Sequence, residues 1–512
     1  MKINSKKIIS MFLMAGLFCT SFLTSMPANA IGTKSDTKVE AKGKEKVKKT
    51  TSTDKLLNET LQKSVAKEEY ISGEKVIENE PVSQDERALV IEGSVEKSMD
   101  VDLTDCLKLA LGNNPRIKIA LNDALVSHEK ITQAWSNYFP TLGWGTSYSN
   151  MRNMQQAAMT GGDTKAFNYY VMGQVTLTQM LYDFGVTQNT VTIKKIDYET
   201  SKTSLTSIIN DVICQTKNAY YNLLLTYDTR RVAQDTVKKN EMFYNQAKAF
   251  YEIGLNPKVD MMIAEVNLGN AKMQLIQAEN AIDVAVASLN NTMGVPYMNK
   301  YNVQEKLRFN PVKITMADAF ELAKESRPEL KMADLRIKSA DQQIKLANKS
   351  FYPKITAQGS YARGGQSFNE TYGYNYGVYL NFPTVNGLMV HSQNKEAASL
   401  YDKELANAQN TKNNVYLEIQ KSFLSLYEKK NQIPVALLQV KQAKESYDMS
   451  FGRYRVGEGS PTELKDAQNA YETAQLSYYQ ALYQYNSAKA GLEKAIGRNI
   501  VGENDTSLEI EL

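Results

Sequence analysis

The side chains best placed to do chemistry are carboxylates and tyrosines gathered at one stretch that occurs twice. Residues 251–264 run Tyr-Glu-Ile-Gly-Leu-Asn-Pro-Lys-Val-Asp-Met-Met-Ile-Ala, and residues 454–467 run Tyr-Arg-Val-Gly-Glu-Gly-Ser-Pro-Thr-Glu-Leu-Lys-Asp-Ala. An offset of 203 residues carries Tyr251 onto Tyr454, Gly254 onto Gly457, Asp260 onto Glu463 and Ala264 onto Ala467. The second copy has an additional acid, Asp466. Local duties exist for these acids. Ser460-Pro461-Thr462-Glu463 reads as a capping box with proline at the first helical position, and Asp466, in the first turn, favours the helix dipole. Catalysis is a poorer fit. His128 and His391 each sit in helical pattern without a second ligand at useful spacing, and no phosphate loop, nucleophile elbow or metal cluster appears. The chain reads as a non-enzyme with no cofactor and no metal.

Long helices must position these groups. The glycine followed by proline in each copy is what a sharp helix stop and restart requires, so both copies read as tips of helical hairpins. Uninterrupted helical runs lead in from about 186 to 251 and from about 388 to 454, each reaching roughly 100 Å at 1.5 Å per residue. Shorter helices return over about 259–292 and 462–495, ending at Gly294 and Gly497. Ile208, Val212, Ala219, Leu223 and Thr226 fall at threes and fours, a coiled-coil-like packing pattern.

The repeat extends well beyond the tips. Asp102-Leu103-Thr104-Asp105-Cys106-Leu107, with Asp102 placed to cap, returns as Thr315-Met316-Ala317-Asp318-Ala319-Phe320 at an offset of 213. The same offset carries Pro115 onto Pro328 and Tyr138-Phe139-Pro140 onto Phe351-Tyr352-Pro353. This is an internal duplication. The helices over about 102–138 and 315–351 have the length to stack on the returning ones. Each half also contains one strand-like interval. Leu142, Trp144, Thr146 and Tyr148 alternate with small or polar residues, and Tyr169, Val171, Gly173, Val175 and Leu177 follow a turn at Gly161 and Gly162. Ile355, Ala357, Gly359 and Tyr361 precede a turn near Gly364 and Gly365, then Tyr374, Tyr376, Val378 and Leu380. The hairpins span 141–180 and 354–384, with strands of about ten residues, long enough to cross an outer membrane when tilted. Soluble hairpins packed on a helix fit the same pattern. Trp144, Tyr169, Tyr170, Tyr372, Tyr374 and Phe382 near the strand ends favour a membrane girdle.

Composition bounds the rest. Only 12 Pro and 27 Gly in 512 residues argue for long helices rather than a row of small globules. A net charge of +4, small and dispersed, excludes a nucleic-acid surface. Residues 1–30 read as a secretory signal, with Lys2, Lys6 and Lys7, an apolar run from Ile8 to Leu23 and an Ala28-Asn29-Ala30 cleavage site. Phe18 stands before Cys19 where a lipoprotein signal wants a small residue. Residues 31–100 read as a charged, disordered leader, open to attachment to anionic lipid or cell-wall polymer, and 501–512 as a tail. Cys106 and Cys214 lie on apolar helix faces, as buried thiols do. No later run has the ~18 apolar residues of a spanning helix, so membrane residence requires a β-barrel. Four strands cannot close one and leave edges unpaired. Three chains give twelve strands, although another small multiple also closes.

The chain resembles the TolC family of outer-membrane efflux proteins over about residues 100–500, in both halves. The resemblance rests on the Leu-x-x-Cys/Ala-x-x-Leu-Ala opening with Pro115 or Pro328, the Phe/Tyr-Pro junctions, Leu181-Tyr182-Asp183-Phe184-Gly185 after the second strand, and the Tyr-x-Ile/Val-Gly tips. It implies a mainly α fold with a transmembrane β part: a homotrimeric α-barrel of helical hairpins carrying a 12-stranded β-barrel, built from repeats at 101–300 and 301–500. It implies an exit duct for efflux or type I secretion in the outer membrane lipid, its helices in the periplasm, meeting a periplasmic adaptor that serves an inner-membrane transporter. Gly254, Leu255, Gly457 and Glu458 match the adaptor-docking tips. Glu463 and Asp466 match acids ringing a periplasmic aperture, and Tyr454 and Asp260 match a tyrosine and aspartate that bond across helices to hold it shut. Three copies of two carboxylates at a narrow axis attract cations. Gly459 stands where the family pattern has an arginine and Val259 where it has a hydroxyl, which predicts fewer closing bonds here. A trimeric tether from outer membrane to cell wall and an extracellular helical adhesin are the competing readings.

Overall fold

Proline opens three of the described helices, at Pro115, Pro328 and Pro461, whereas Pro434 lies inside a fourth. In the computed structural model the described residues are 99–100, 102–151, 167–255, 257–295, 301–302, 306–365, 371–383, 387–456 and 458–498. The signal segment, nearly all of the leader, the tail, Gly161, Gly162 and Gly457 lie outside them. The leader boundary needs one correction: Met99–Asp100 is a short strand, β1, paired in parallel with β4, Tyr301–Asn302. Two residues are too few for any periodicity to reveal.

The helix expected over 102–138 is two helices, α1 (Leu103–Asn113) and α2 (Pro115–Trp135), followed by a single 3₁₀ turn at Ser136–Tyr138. Pro115 has no N–H to donate and its ring would clash with the preceding turn, so it opens a helix instead of continuing one. Asn114 is extended between them and its side chain accepts from Arg116 N at 2.9 Å. The second half breaks alike into α5 (Met316–Ser326) and α6 (Pro328–Asn348). The expected caps form: Asp105 N donates to Asp102 at 2.7 Å, and Thr315 and Asp318 close a capping box.

The long helices are α3 (Val186–Glu252) and α7 (Gly387–Arg455), returning as α4 (Lys258–Met293) and α8 (Pro461–Ile496). Their 67 and 69 residues correspond to roughly 100 Å. α3 is the hub, packed on α1, α2, α4, α6 and α8. The expected stacking needs correction here: α2 and α6 lie mainly on the long helices, and the shorter α1 and α5 touch the returning ones. Ion pairs fasten the hub. Lys217 meets Glu493 at 2.6 Å with both side chains buried and Asp211 meets Lys494 at 2.8 Å, both joining α3 to α8, while buried Arg327 at the start of α6 reaches Glu418 of α7 at 2.5 Å. Cys106 is buried and Cys214 half-buried, both reduced, and burial raises the Cys214 thiol pKa.

β2 (Thr141–Met151), β3 (Phe167–Tyr182), β5 (Lys354–Gly365) and β6 (Thr371–Asn381) form one antiparallel sheet in the order β2-β3-β5-β6. Strand β5 runs through the expected turn: Gly364 stays in the ladder, opposite Val171 and Thr371, because the longer β3 continues to offer it a partner. Register sorts the two faces. One row across all four strands is Trp144, Val175, Tyr361, Tyr374, and another is Leu142, Leu177, Gly359, Tyr376. Between them on the opposite face run Gly143, Thr176, Ser360, Asn375, with the Ser360 hydroxyl donating to Asn375 Oδ1 at 2.9 Å. Trp144 is 76% and Tyr376 82% exposed. Strand joins helix at Asp183, whose carboxylate accepts from Gly185 N and Thr187 N at 3.0 and 2.6 Å. Phe184 there stacks on Tyr352 at 5.3 Å, so the signature motifs of the two halves meet.

Candidate functional site

The first tip is a glycine turn with nothing beside it. Gly254 has φ +75°, Gly254 N donates to Tyr251 O at 3.0 Å and Leu255 N to Phe250 O at 2.9 Å, the paired bonds of a Schellman motif. Apart from its chain neighbours, no atom of the described residues lies within 4 Å of where a Gly254 Cβ would stand, so glycine serves the backbone angle. Ile253 and Leu255 are each 68% exposed. Asp260, half-buried, lies in the first turn of α4.

The second tip is tighter. Glu458 N and Gly459 N both donate to Arg453 O, at 3.0 and 3.2 Å. A Cβ on Gly459 would stand 2.7 Å from Tyr454 N, so no side chain fits unless the backbone moves, and an arginine at this position is sterically excluded from this turn. Ser460 caps α8 by accepting from Thr462 N at 3.2 Å. The expected capping box does not close. Glu463 pairs instead with Arg453, Nη1 to Oε1 at 2.7 Å, because a charge-assisted bond to a guanidinium is stronger than a return to a neutral N–H. Glu458 and Asp466 are exposed, and Asp466 has no ion-pair partner among the described residues.

Aromatic packing stands behind this tip. Tyr454, 7% exposed, shares a core with Tyr447, Leu464 and Ala467, covered by Phe243, Phe451 and Tyr471. The Phe243 ring of α3 meets Phe451 at 5.9 Å and Tyr454 edge-on at 6.4 Å. The Lys239 ammonium lies 4.9 Å from the Tyr447 ring centre and 4.7 Å from that of Tyr471, two cation–π contacts. Burial lowers the Lys239 pKa, with Glu472, Asp235 and Asp448 opposing. Burial, then the charges of Asp448 and Glu472, pushes Tyr447 up to about 12. Burial and then the charge of Asp260 raise Tyr454. Tyr454 thus feels the charge of Asp260, yet no hydrogen bond joins the two.

The sequence reading therefore places Asp260, Tyr454, Glu463 and Asp466 near the tips. It missed Arg453 and the α3 residues Lys239 and Phe243. One signal was present: Tyr447, Phe451 and Tyr454 are spaced i, i+4, i+7, an aromatic face.

The sequence model for "outer membrane efflux protein" matches residues 106–295 and again 319–498. Outer membrane protein TolC of Escherichia coli is 23% identical over 435 residues, covering 80% of this chain and 85% of that protein. The toluene efflux pump outer membrane protein TtgC of Pseudomonas putida is 22% identical, covering 78% and 83%. Among solved structures, the CmeC outer membrane channel of Campylobacter jejuni shares the fold, with a TM-score of 0.66 at 18% identity, covering 85% of this chain and 96% of that one. A membrane protein of Pseudomonas aeruginosa gives a TM-score of 0.67 at 16% identity, covering 79% and 92%. These relatives are channels rather than enzymes, and with both its halves matched, the chain belongs to the outer membrane efflux protein family.

Proposed function

We propose that this protein is the outer-membrane exit duct of a tripartite efflux or type I secretion system, a passive conduit whose transport is energised elsewhere. The observation that carries this reading is the sheet. Its rows through Trp144 and Leu142 are apolar, the row between them is small and polar, and the strands at its two edges, β2 and β6, have one neighbour each. A sheet apolar on one side and polar on the other suits lipid outside and water inside, and edges in lipid must be paired. Three copies give a twelve-stranded barrel. The helices support the same assembly: exposed apolar residues recur at sevens on α4 (Val259, Val266, Met273), and on α7 Leu417 and Leu424 are seven apart with Leu438 fourteen further on, the spacing of seams between supercoiled helices. The equivalent halves, 101–300 and 301–500, then alternate around the axis with their helices in the periplasm. A tether to the cell wall has no use for a polar lumen face.

In this reading Gly254, Leu255, Gly457 and Glu458 dock a periplasmic adaptor that serves an inner-membrane transporter, with Ile253 and Leu255 as the apolar contact. Asp260, Tyr454, Glu463 and Asp466 form the aperture. Planar-bilayer conductance of the purified protein tests the proposal. The expected result is a cation-preferring pore blocked by multivalent cations, with block lost when Glu463 and Asp466 are both changed to Ala. A protein that forms no pore in any condition overturns the duct; block unaltered in the double variant removes the aperture assignment.

A further inference from the structure

The second tip supplies a cation of its own. Arg453, in the last turn of α7, and Glu463, in the first turn of α8, meet at 2.7 Å with side chains 56% and 43% exposed. Asp466, three residues along α8, has no such partner among the described residues, and neither Arg455 nor Lys465 pairs with either acid. We infer that Arg453 sets the charge of the aperture: it cancels Glu463 within each chain and leaves Asp466 as the uncompensated carboxylate of the second tip, beside Asp260 of the first. This rests on the aperture reading above. An exposed ion pair adds little to stability. Its effect on a passing ion is larger, because charges within a few ångströms act well inside the Debye length of ~10 Å at 0.1 M salt.

Both partners belong to one hairpin, ten residues apart. The pair therefore travels with the tip and persists when the tips of neighbouring chains part, which a link between chains does not. With Asp260, Glu463 and Asp466 in each chain, three chains present six uncompensated carboxylates rather than nine, in the closed and the open state alike.

The test is block of single channels by hexaamminecobalt(III), an ion that keeps its own ligands and so senses charge alone. In Arg453→Gln the half-blocking concentration is expected to fall about tenfold, as one more negative charge per chain is exposed. Arg453→Lys keeps the charge and blocks like wild type. The pair of substitutions Arg453→Gln and Glu463→Gln restores wild-type block, since both lose their charge together; this variant also serves if Arg453→Gln alone does not fold. Wild-type block in Arg453→Gln, or weakened block in the pair, overturns the inference while leaving the aperture standing. If changing Glu463 and Asp466 together to Ala leaves block untouched, the aperture and the inference fall together.

Discussion

At the first tip Ile253 and Leu255 stand exposed beside a glycine with a positive φ and open space around it, whereas at the second Gly459 lies against the backbone of Tyr454 with an aromatic core directly behind. The same stop and restart of a helix thus serves two purposes. The first tip spends its sequence on an apolar surface. The second ties itself to α3 through Phe243 and Lys239 and keeps its charged groups in a fixed relation.

The largest effect that bears on this difference is expected from Tyr447→Ala. Removing a buried aromatic costs about 3 kcal/mol, and hydrogen exchange should show that loss at the second tip while the first is unchanged; equal opening at both would erase the distinction. Alkaline titration comes next. Tyr447 holds its proton to about 12 in the folded protein against an ordinary 10.0, so its contribution is complete below pH 10 and is lost as pH rises from 10 to about 12. Tyr454 and Tyr471 are shifted the same way, again chiefly by burial. Proteolytic nicking should therefore begin at the second tip in that window. A second tip as resistant at pH 12 as at pH 9 would contradict the buried phenols.

The glycines give a smaller and sharper contrast. Gly459→Ala forces a Cβ against backbone and should destabilise its turn by about 1–3 kcal/mol, while Gly254→Ala meets only the left-handed backbone penalty of about 1 kcal/mol. Tip-specific hydrogen exchange in the two variants ranks them, and the reverse order would mean that the close approach at Gly459 is relieved cheaply. Lys239→Gln, which removes two cation–π contacts, should cost the least, roughly 0.5–1 kcal/mol, detectable as faster exchange around Tyr471 and not around Tyr251.

Much of the fold was legible because local chemistry decides it. Glycine and proline bound the long helices, which end within about two residues of where the sequence places them. The break at Asn114–Pro115 was carried in the sequence as well, but the cap at Asp102 and the continuing apolar pattern hid it. The ion pairs of the hub were not readable, since Lys217 and Glu493 lie 276 residues apart and only tertiary packing joins them. Arg453 was overlooked for the opposite reason: the Ser460-Pro461-Thr462-Glu463 pattern offers Glu463 a nearer partner, and a charge pair won over a local rule. Aromatic spacing predicted a packed face near Tyr454 without revealing that α3 supplies its other side.

The order β2-β3-β5-β6 also bears on how such a protein reaches its place. Each outer strand presents eleven residues, and a backbone group left unsatisfied in hydrocarbon costs several kcal/mol. A solitary chain therefore has no stable position in lipid. In the barrel reading, association of chains is a condition of insertion rather than its sequel, and the helices, which need no membrane to pair, are the part able to bring the copies together first.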